Sequence, residues 1–235
     1  MIFAAGLGTR LKPFTDNHPK ALAPVNGKPL LEHAIRYLQG FGIYDVVINV
    51  HHFPEQIESV LAQEQGFGSQ ISISDERGMV LETGGGLKKA AHFFHNEDFV
   101  VLNVDIMTSL DLAKMISAHQ QSGALATLAV MQRDSTRELL FDKDMQLCAW
   151  HNKNTGEIKT ARQCDQLSAY SFSGVHVIST DIFPHITQEG KFSIIDTYLQ
   201  LAATLSIKGF DHSGDQLIDV GKPDSLQKAS VLFKH

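Results

Sequence analysis

Apolar and polar positions along the chain follow two alternating rhythms. Short, almost unbroken apolar runs occupy residues 2–5, 46–50, 99–104 and 124–130, the pattern of strands covered on both faces. A weaker alternation at 71–74 predicts a further strand. Between these runs apolar residues recur at helical spacing: Leu30, Leu31, Ala34, Ile35 and Leu38; then Ile57, Val60 and Leu61; then Leu112, Met115, Ile116 and His119. Gly40 and Gly42 end the first helix, and Pro54 stands where the first turn of the second belongs. Strand and helix taking turns in this way predict an α/β fold: a three-layer, Rossmann-like, mainly parallel sheet.

After Met131 the rhythm changes. Short alternating segments near Leu139, Leu147 and residues 170–178, separated by the turn Asn152-Lys153-Asn154-Thr155-Gly156, predict antiparallel strands in a small β-rich annex. A helix over 194–205, strands over 207–210 and 217–220, and a last helix from Pro223 return the chain to α/β. Without repeat, low-complexity tract or linker, residues 1–235 read as one domain with a first part, 1–131, and a second, 132–235.

The charge balance narrows the partners. Twenty basic against 26 acidic residues give a net charge of -6, which argues against a nucleic-acid partner. Yet Arg10, Lys12, Lys20 and Lys28 cluster near the N-terminus, either as a phosphate site or as a solvated basic face. The two cysteines, Cys148 and Cys164, form neither a CxxC pair nor a disulfide framework, so a reducing, cytoplasmic setting is the simplest expectation. The first residues lack a charged leader, and no run approaches the roughly 18 apolar residues of a membrane span.

The first strand runs into Ala4-Ala5-Gly6-Leu7-Gly8-Thr9-Arg10-Leu11-Lys12. Glycines two apart allow a tight turn with backbone N–H groups turned toward a ligand, and Thr9 and Arg10 add donors suited to phosphate oxygens. The loop is neither a P-loop, which ends Gly-Lys-Ser/Thr, nor a dinucleotide fingerprint, because position 11 is Leu; the second mismatch disfavours a dehydrogenase. Pro19-Lys20-Ala21-Leu22-Ala23-Pro24-Val25 and Gly27-Lys28-Pro29-Leu30 follow. Read together, GLGTRLKPFT, HPKALAPV and GKPLLEHAI resemble the sugar nucleotidyltransferases, and the likeness runs from Ile2 to about Ala229. Family members usually carry two or three more residues before the first strand, so that strand is short here or its start lies upstream. Many relatives continue into a left-handed β-helix, for which this chain has no room; a small stand-alone enzyme, monomeric or a small homo-oligomer, is expected.

The resemblance implies that residues 1–131 bind a nucleoside triphosphate and that residues 132–235 bind a sugar 1-phosphate and supply a second metal ligand. It assigns phosphate binding to Ala5, Gly6, Gly8, Thr9 and Arg10, and charge neutralisation in catalysis to Arg10 and Lys20. Leu81-Glu82-Thr83-Gly84-Gly85-Gly86 joins a strand region to a helix, and three glycines leave backbone against which a planar base can lie. Glu82, Thr83, Gly84 and Gly85, with Asn103, are the base and ribose candidates, and this segment is similar to that of N-acetylmuramate-1-phosphate uridylyltransferases. Asp105 ends one apolar strand and Asp219, in Asp219-Val220-Gly221, ends another; two such carboxylates can converge on Mg²⁺. The family pattern has Gly before the first Asp, where this chain has Val104.

On the sugar side the candidates are His51, Lys153, Gly174 and Asp196. Lys153 matches the lysine of the family's Phe-Val-Glu-Lys-Pro, although the neighbouring Glu and Pro are both Asn here. The other histidines lack a partner at metal spacing and read as packed or surface residues. The expected reaction is UTP with N-acetylmuramate 1-phosphate. Alternatives are guanylyl transfer to mannose 1-phosphate and, further off, cytidylyl transfer to a phosphoalcohol. A reading of another class, an inactive nucleotide-sugar-binding regulator, is disfavoured because Arg10, Lys20, Asp105 and Asp219 are all kept.

Overall fold

A computed structural model describes residues 1–233. Its strands are β1 (Ile2–Phe3), β2 (Pro24–Val25), β3 (Lys28–Pro29), β4 (Asp45–Val50), β5 (Gln70–Asp75), β6 (Phe99–Asn103), β7 (Ile106–Thr108) and β8 (Ala126–Met131). They continue with β9 (Arg137–Phe141), β10 (Leu147–Asn152), β11 (Glu157–Thr160), β12 (Ser168–Ile178), β13 (Ile207–Asp211) and β14 (Leu217–Asp219). The helices are α1 (Leu30–Gln39), α2 (Pro54–Gln63), α3 (Glu82–Lys89), α4 (Leu112–Ser122), α5 (Ile194–Ala202) and α6 (Pro223–Leu232).

One sheet organises the molecule, in the order β11-β10-β9-β12-β6-β1-β4-β5, with β8 on β12 and β13 on β8. Its centre, β6-β1-β4-β5, is parallel, as the alternating pattern predicts. Period-two alternation splits the apolar runs between two layers. Ile2, Val46, Ile48, Val50, Val100 and Leu102 face the core under α1, α2 and α4. Phe3, Val47 and Val101 face the core under α3 and α5. The parallel centre therefore has both faces covered, and its strand ends gather the loops at one edge.

The annex consists of β9, β10 and β11, paired antiparallel, and β12 joins it to the central sheet. That strand changes register against β8 between Phe172 and His176, around Gly174 at φ +75°. A β-carbon at Gly174 would lie 2.7 Å from Ile106 Cγ1 and 2.9 Å from Asn103 Nδ2, so only glycine lets the strand bend onto β6.

Two features depart from the sequence reading. The hairpin β10–β11 returns the chain beside its own start, and Ala161 and Arg162 both donate to the Cys148 carbonyl. Cys148 and Cys164 are thereby brought together and are disulfide-bonded, contrary to the expectation that they form no framework. Spacing alone could not show this, because the pairing is made by the hairpin.

The second departure concerns Gly84, Gly85 and Gly86, which lie inside α3 and are packed against protein rather than left open to a planar base. Alanine is favoured over glycine by about 0.5–1 kcal/mol at a helix-interior position, so three in a row need a cause. Close packing supplies one. A β-carbon at Gly84 would lie 2.4 Å from the Phe192 ring, and one at Gly85 2.1 Å from the Gly190 carbonyl oxygen. Gly84 and Gly85 both donate to the Phe192 carbonyl, holding α3 against the segment that leads into α5. Gly85→Ala is expected to lower stability by about 1–3 kcal/mol through overpacking against backbone. Gly214→Ala, with nothing within 4 Å, should be neutral or slightly stabilising. Urea midpoints of the two variants check this; equal stability would contradict the packing account.

Candidate active site

A cavity of about 430 Å³ opens at the carboxyl ends of β1, β4 and β6. Its floor is the turn that follows β1. Gly8, at φ +61°, passes so close to Lys20 and Thr15 that a β-carbon would lie 2.8 and 2.9 Å from their side chains. Thr15 Oγ1 donates to the Gly8 carbonyl, and so does the Leu11 amide. Around Gly6, by contrast, a β-carbon would meet nothing within 4 Å. The loop is thus pinned on its protein side and open on its outer side, which suits the backbone capture of an anion. Ala5, Gly6, Gly8, Thr9 and Arg10 all line the cavity.

Two acidic groups lie near this loop: Asp105 lines the cavity, and Asp219 lies outside the lining, within reach of Arg10. Asp105 follows β6 and immediately precedes β7; Asp219 is the last residue of β14. The two short strands form an antiparallel ribbon in which Asp219 pairs with Ile106, and the Val220 amide donates to the Asp105 carbonyl at 2.8 Å. This ribbon brings residues 105 and 219 side by side. Lys20, on a short 3-10 turn after Pro19, forms an ion pair with Asp105 Oδ2 in a largely buried setting. Arg10 Nη2 lies 3.8 Å from Asp219 Oδ2. Gly221 makes that approach possible, because a β-carbon there would lie 2.7 Å from both Arg10 Nη2 and Asp219 Oδ1.

The electrostatics of this pair are unbalanced. Burial pushes the Asp219 carboxyl above its ordinary value, and the charge of Asp105 raises it further, against the smaller opposing pull of Lys20 and Arg10. Asp219 Oδ1 is buried and, among the described residues, has no hydrogen-bond partner. A buried carboxylate oxygen without a donor is costly unless something positive meets it. Two neighbouring carboxylates, one with a buried oxygen that has no partner among the described residues, beside a glycine loop, fit a hard divalent cation that takes oxygen ligands.

Opposite the carboxylates, Glu82 and Thr83 line the cavity at the start of α3, and Asn103 lines it from the end of β6. Glu82 stands at φ +59°, unusual for a non-glycine residue, and pairs with Lys191 at 3.4 Å. Lys20, Asp105 and the five loop residues complete the predicted set that meets here. Gly84 and Gly85 lie outside the lining, turned toward Phe192 and Gly190.

The sugar-side candidates are dispersed. Gly174 sits one layer behind the cavity, against Asn103. The His51 ring Nδ1 is 2.7 Å from the Glu76 carbonyl, outside the lining. Lys153 pairs with Glu138 at 2.7 Å. Asp196 pairs with Lys159 at 3.0 Å and lines a second cavity of about 450 Å³, walled by Glu138, Trp150, Lys159, Phe172 and Ser193. The Lys159 ammonium lies 5.2 Å over the Trp150 ring. One hydrogen bond links the walls of the two cavities: Thr83, which lines the first, accepts at Oγ1 from the Ile194 amide, next to Ser193 of the second. Sequence reading missed Glu138 and Trp150. It also missed Asn49 and Glu76, buried residues that line the first cavity. An asparagine inside the apolar run 46–50 was the available signal.

The family model for nucleotidyl transferase matches residues 1–139. An N-acetylmuramate alpha-1-phosphate uridylyltransferase of Caulobacter vibrioides is 29% identical, with 98% of this chain and 95% of the relative covered. A D-glycero-alpha-D-manno-heptose 1-phosphate guanylyltransferase of Aneurinibacillus thermoaerophilus is also 29% identical, over 100% and 98%. A UTP--glucose-1-phosphate uridylyltransferase of Synechocystis sp. is 30% identical over 83% of the chain, which spans about half, 52%, of that relative's length. The crystal structure of HddC from Yersinia pseudotuberculosis superposes with a TM-score of 0.80 at 26% identity, covering 99% of this chain and 98% of that one. The loop, the paired carboxylates and the family match over more than half of the chain agree: this chain belongs to the nucleotidyl transferase family.

Proposed function

We propose that the protein transfers the nucleotidyl group of a nucleoside triphosphate to a sugar 1-phosphate, releasing pyrophosphate, with UTP and N-acetylmuramate 1-phosphate as the substrate pair and Mg²⁺ as cofactor. The observation that carries this reading is the nearness of Asp105, which lines the cavity beside the glycine loop, to Asp219, whose Oδ1 is buried and has no partner among the described residues. The choice of pair is supported by the match to the Caulobacter uridylyltransferase over nearly the full length of both chains. An equal match to a heptose 1-phosphate guanylyltransferase favours GTP as the second reading.

The chemistry asks little proton handling of the protein. A phosphate oxygen of the sugar 1-phosphate is ionised at neutral pH and attacks the α-phosphorus directly, while pyrophosphate leaves on the opposite side. Positioning and charge stabilisation supply the acceleration. Backbone amides of Gly6 and Gly8, with Thr9 and Arg10, hold the triphosphate and neutralise the departing pyrophosphate. Lys20 lies where both reacting phosphates carry charge, and its pairing with Asp105 fixes it there in advance. Asp105 and Asp219 hold the cation, which supplies Lewis-acid stabilisation of the α-phosphate when bound. Glu82, Thr83 and Asn103 face the nucleoside. The second cavity, with Trp150 and Phe172 as apolar surfaces and Lys159 and Asp196 as polar ones, receives the sugar.

Pyrophosphate release is to be measured over a grid of UTP, GTP, CTP and dTTP against sugar 1-phosphates, including those of N-acetylmuramate, mannose and glucose. Turnover is expected with UTP and N-acetylmuramate 1-phosphate, abolished by EDTA and restored by Mg²⁺. Turnover with GTP alone would overturn the base assignment, and silence over the whole grid would overturn the reaction.

Asp219→Asn tests the metal assignment with two readouts of opposite sign. A carboxyl whose folded pKa is raised binds its proton more tightly in the folded state, so its ionised form costs stability as pH rises past the ordinary value. The amide removes that cost. The variant is expected to lose at least about a hundredfold in kcat/KM, the scale of losing one electrostatic stabiliser, while its Tm stays level or rises. Retained activity would contradict the assignment.

A further inference from the structure

Two buried polar side chains under the first cavity have no part in the chemistry above. Asn49 lies within the apolar strand β4, and Glu76 immediately follows β5; they are 2% and 1% exposed. Burying such groups costs free energy unless their hydrogen bonds are made. Here they are made in one continuous chain. The Ala4 amide, at the start of the phosphate loop, donates to Asn49 Oδ1 at 2.7 Å. Asn49 Nδ2 donates to Glu76 Oε1 at 2.7 Å. Glu76 Oε2 accepts from the Leu81 amide, the residue before α3, at 3.2 Å. The ends of this chain are the two segments that face the triphosphate and the nucleoside.

Other residues are fitted around it. A β-carbon at Gly86 would lie 2.6 Å from Glu76 Oε1 and 3.0 Å from Asn49 Nδ2, so the third glycine of α3 is the space the carboxylate occupies. The Glu76 backbone is fixed as well, its amide donating to the Val50 carbonyl and its own carbonyl facing His51 Nδ1. The polarity is also determined. Both ends of the chain are backbone N–H donors, so one inner group must accept at both of its ends, and a carboxylate at position 76 does so.

We propose that Asn49 and Glu76 are positioning residues: they tie the start of the phosphate loop to the entrance of α3 and so fix the spacing at which a nucleotide's triphosphate and its nucleoside are bound together. The proposal rests on the nucleotidyl-transfer reading of this cavity. Joining two subsites at a fixed spacing adds affinity only for a ligand that spans both. Loss of the tie therefore weakens the whole nucleotide and spares a ligand that occupies the loop alone.

Glu76→Gln leaves size unchanged but places an NH₂ against one of the donors. The double variant Asn49→Asp, Glu76→Gln restores the chain with its polarity exchanged. The carboxylate, now at position 49, would accept from the Ala4 amide and from the glutamine NH₂, and the glutamine oxygen would accept from the Leu81 amide. Binding of UTP, GTP and inorganic tripolyphosphate is to be measured by calorimetry for wild type, Glu76→Gln and the double variant, alongside Tm. The single variant is expected to bind the better of the two nucleotides about tenfold more weakly, a difference of roughly 1.4 kcal/mol, with tripolyphosphate changed by less than about threefold. Its KM for the nucleotide rises while its KM for the sugar 1-phosphate holds. The double variant is expected within about threefold of wild type. Equal weakening of nucleotide and tripolyphosphate, or no weakening, overturns the tie. A double variant as weak as Glu76→Gln also overturns it and assigns Glu76 a direct contact with the ligand. A wild type that binds neither nucleotide overturns the functional reading itself, an outcome separate from the others.

Discussion

Two carboxylates held side by side at the edge of a cavity set the terms for the rest of this site. Asp105 and Asp219 are brought together by a ribbon of only three residues per strand, and their mutual repulsion adds to the cost of burying Asp219. Such a pair persists only with positive charge around it. Lys20 meets Asp105 from a 3-10 turn, Arg10 approaches Asp219 from the phosphate loop, and Gly221 leaves room for that approach. The compensation is incomplete, because Asp219 Oδ1 has no partner among the described residues. An oxygen left short of positive charge suits a cation, and this is why the proposed reaction centres there.

Much of this was legible in the chain. Apolar runs and helical spacings gave the parallel centre and its covering helices, because burial on both faces imposes a pattern within each element. The phosphate loop and Asp105 were legible for the same reason: each sits where a strand ends. What was not legible depends on residues distant in sequence. Gly84 and Gly85 look like open backbone for a flat ligand until Phe192 and Gly190 are seen against them, and Gly86 until Glu76 is. Cys148 and Cys164 look unrelated until the hairpin returns one to the other. Strand β14 was read from the pattern, at 217–220, but its partner β7 is too short to show any period, so the ribbon that aligns the two carboxylates was not legible.

The sugar side divides along the same line. Asp196 and Lys153 were chosen by position; Asp196 lines the second cavity and Lys153 lies outside its lining, and each is paired with an oppositely charged residue that lines it, Lys159 and Glu138. The aromatic surfaces there, Trp150 and Phe172, come from different strands, β10 and β12, and converge only in the folded annex. Thr83 links the walls of the two cavities by accepting from the Ile194 amide. In this arrangement α3 lines the first cavity with its first turn, and its glycines allow the close packing that holds it against the segment leading into α5.

The central claim is that Asp105 and Asp219 together hold a divalent cation. Mn²⁺ serves as a paramagnetic stand-in for Mg²⁺, and its binding is to be followed by electron paramagnetic resonance, with a nucleoside triphosphate absent and present. Wild type is expected to bind one Mn²⁺, more tightly with the nucleotide. Asp105→Asn and Asp219→Asn should each weaken that binding by at least about tenfold while still taking up the nucleotide, since loss of one carboxylate removes one of two anchoring charges. Variants that bind Mn²⁺ as wild type does would contradict the account, whatever their activity.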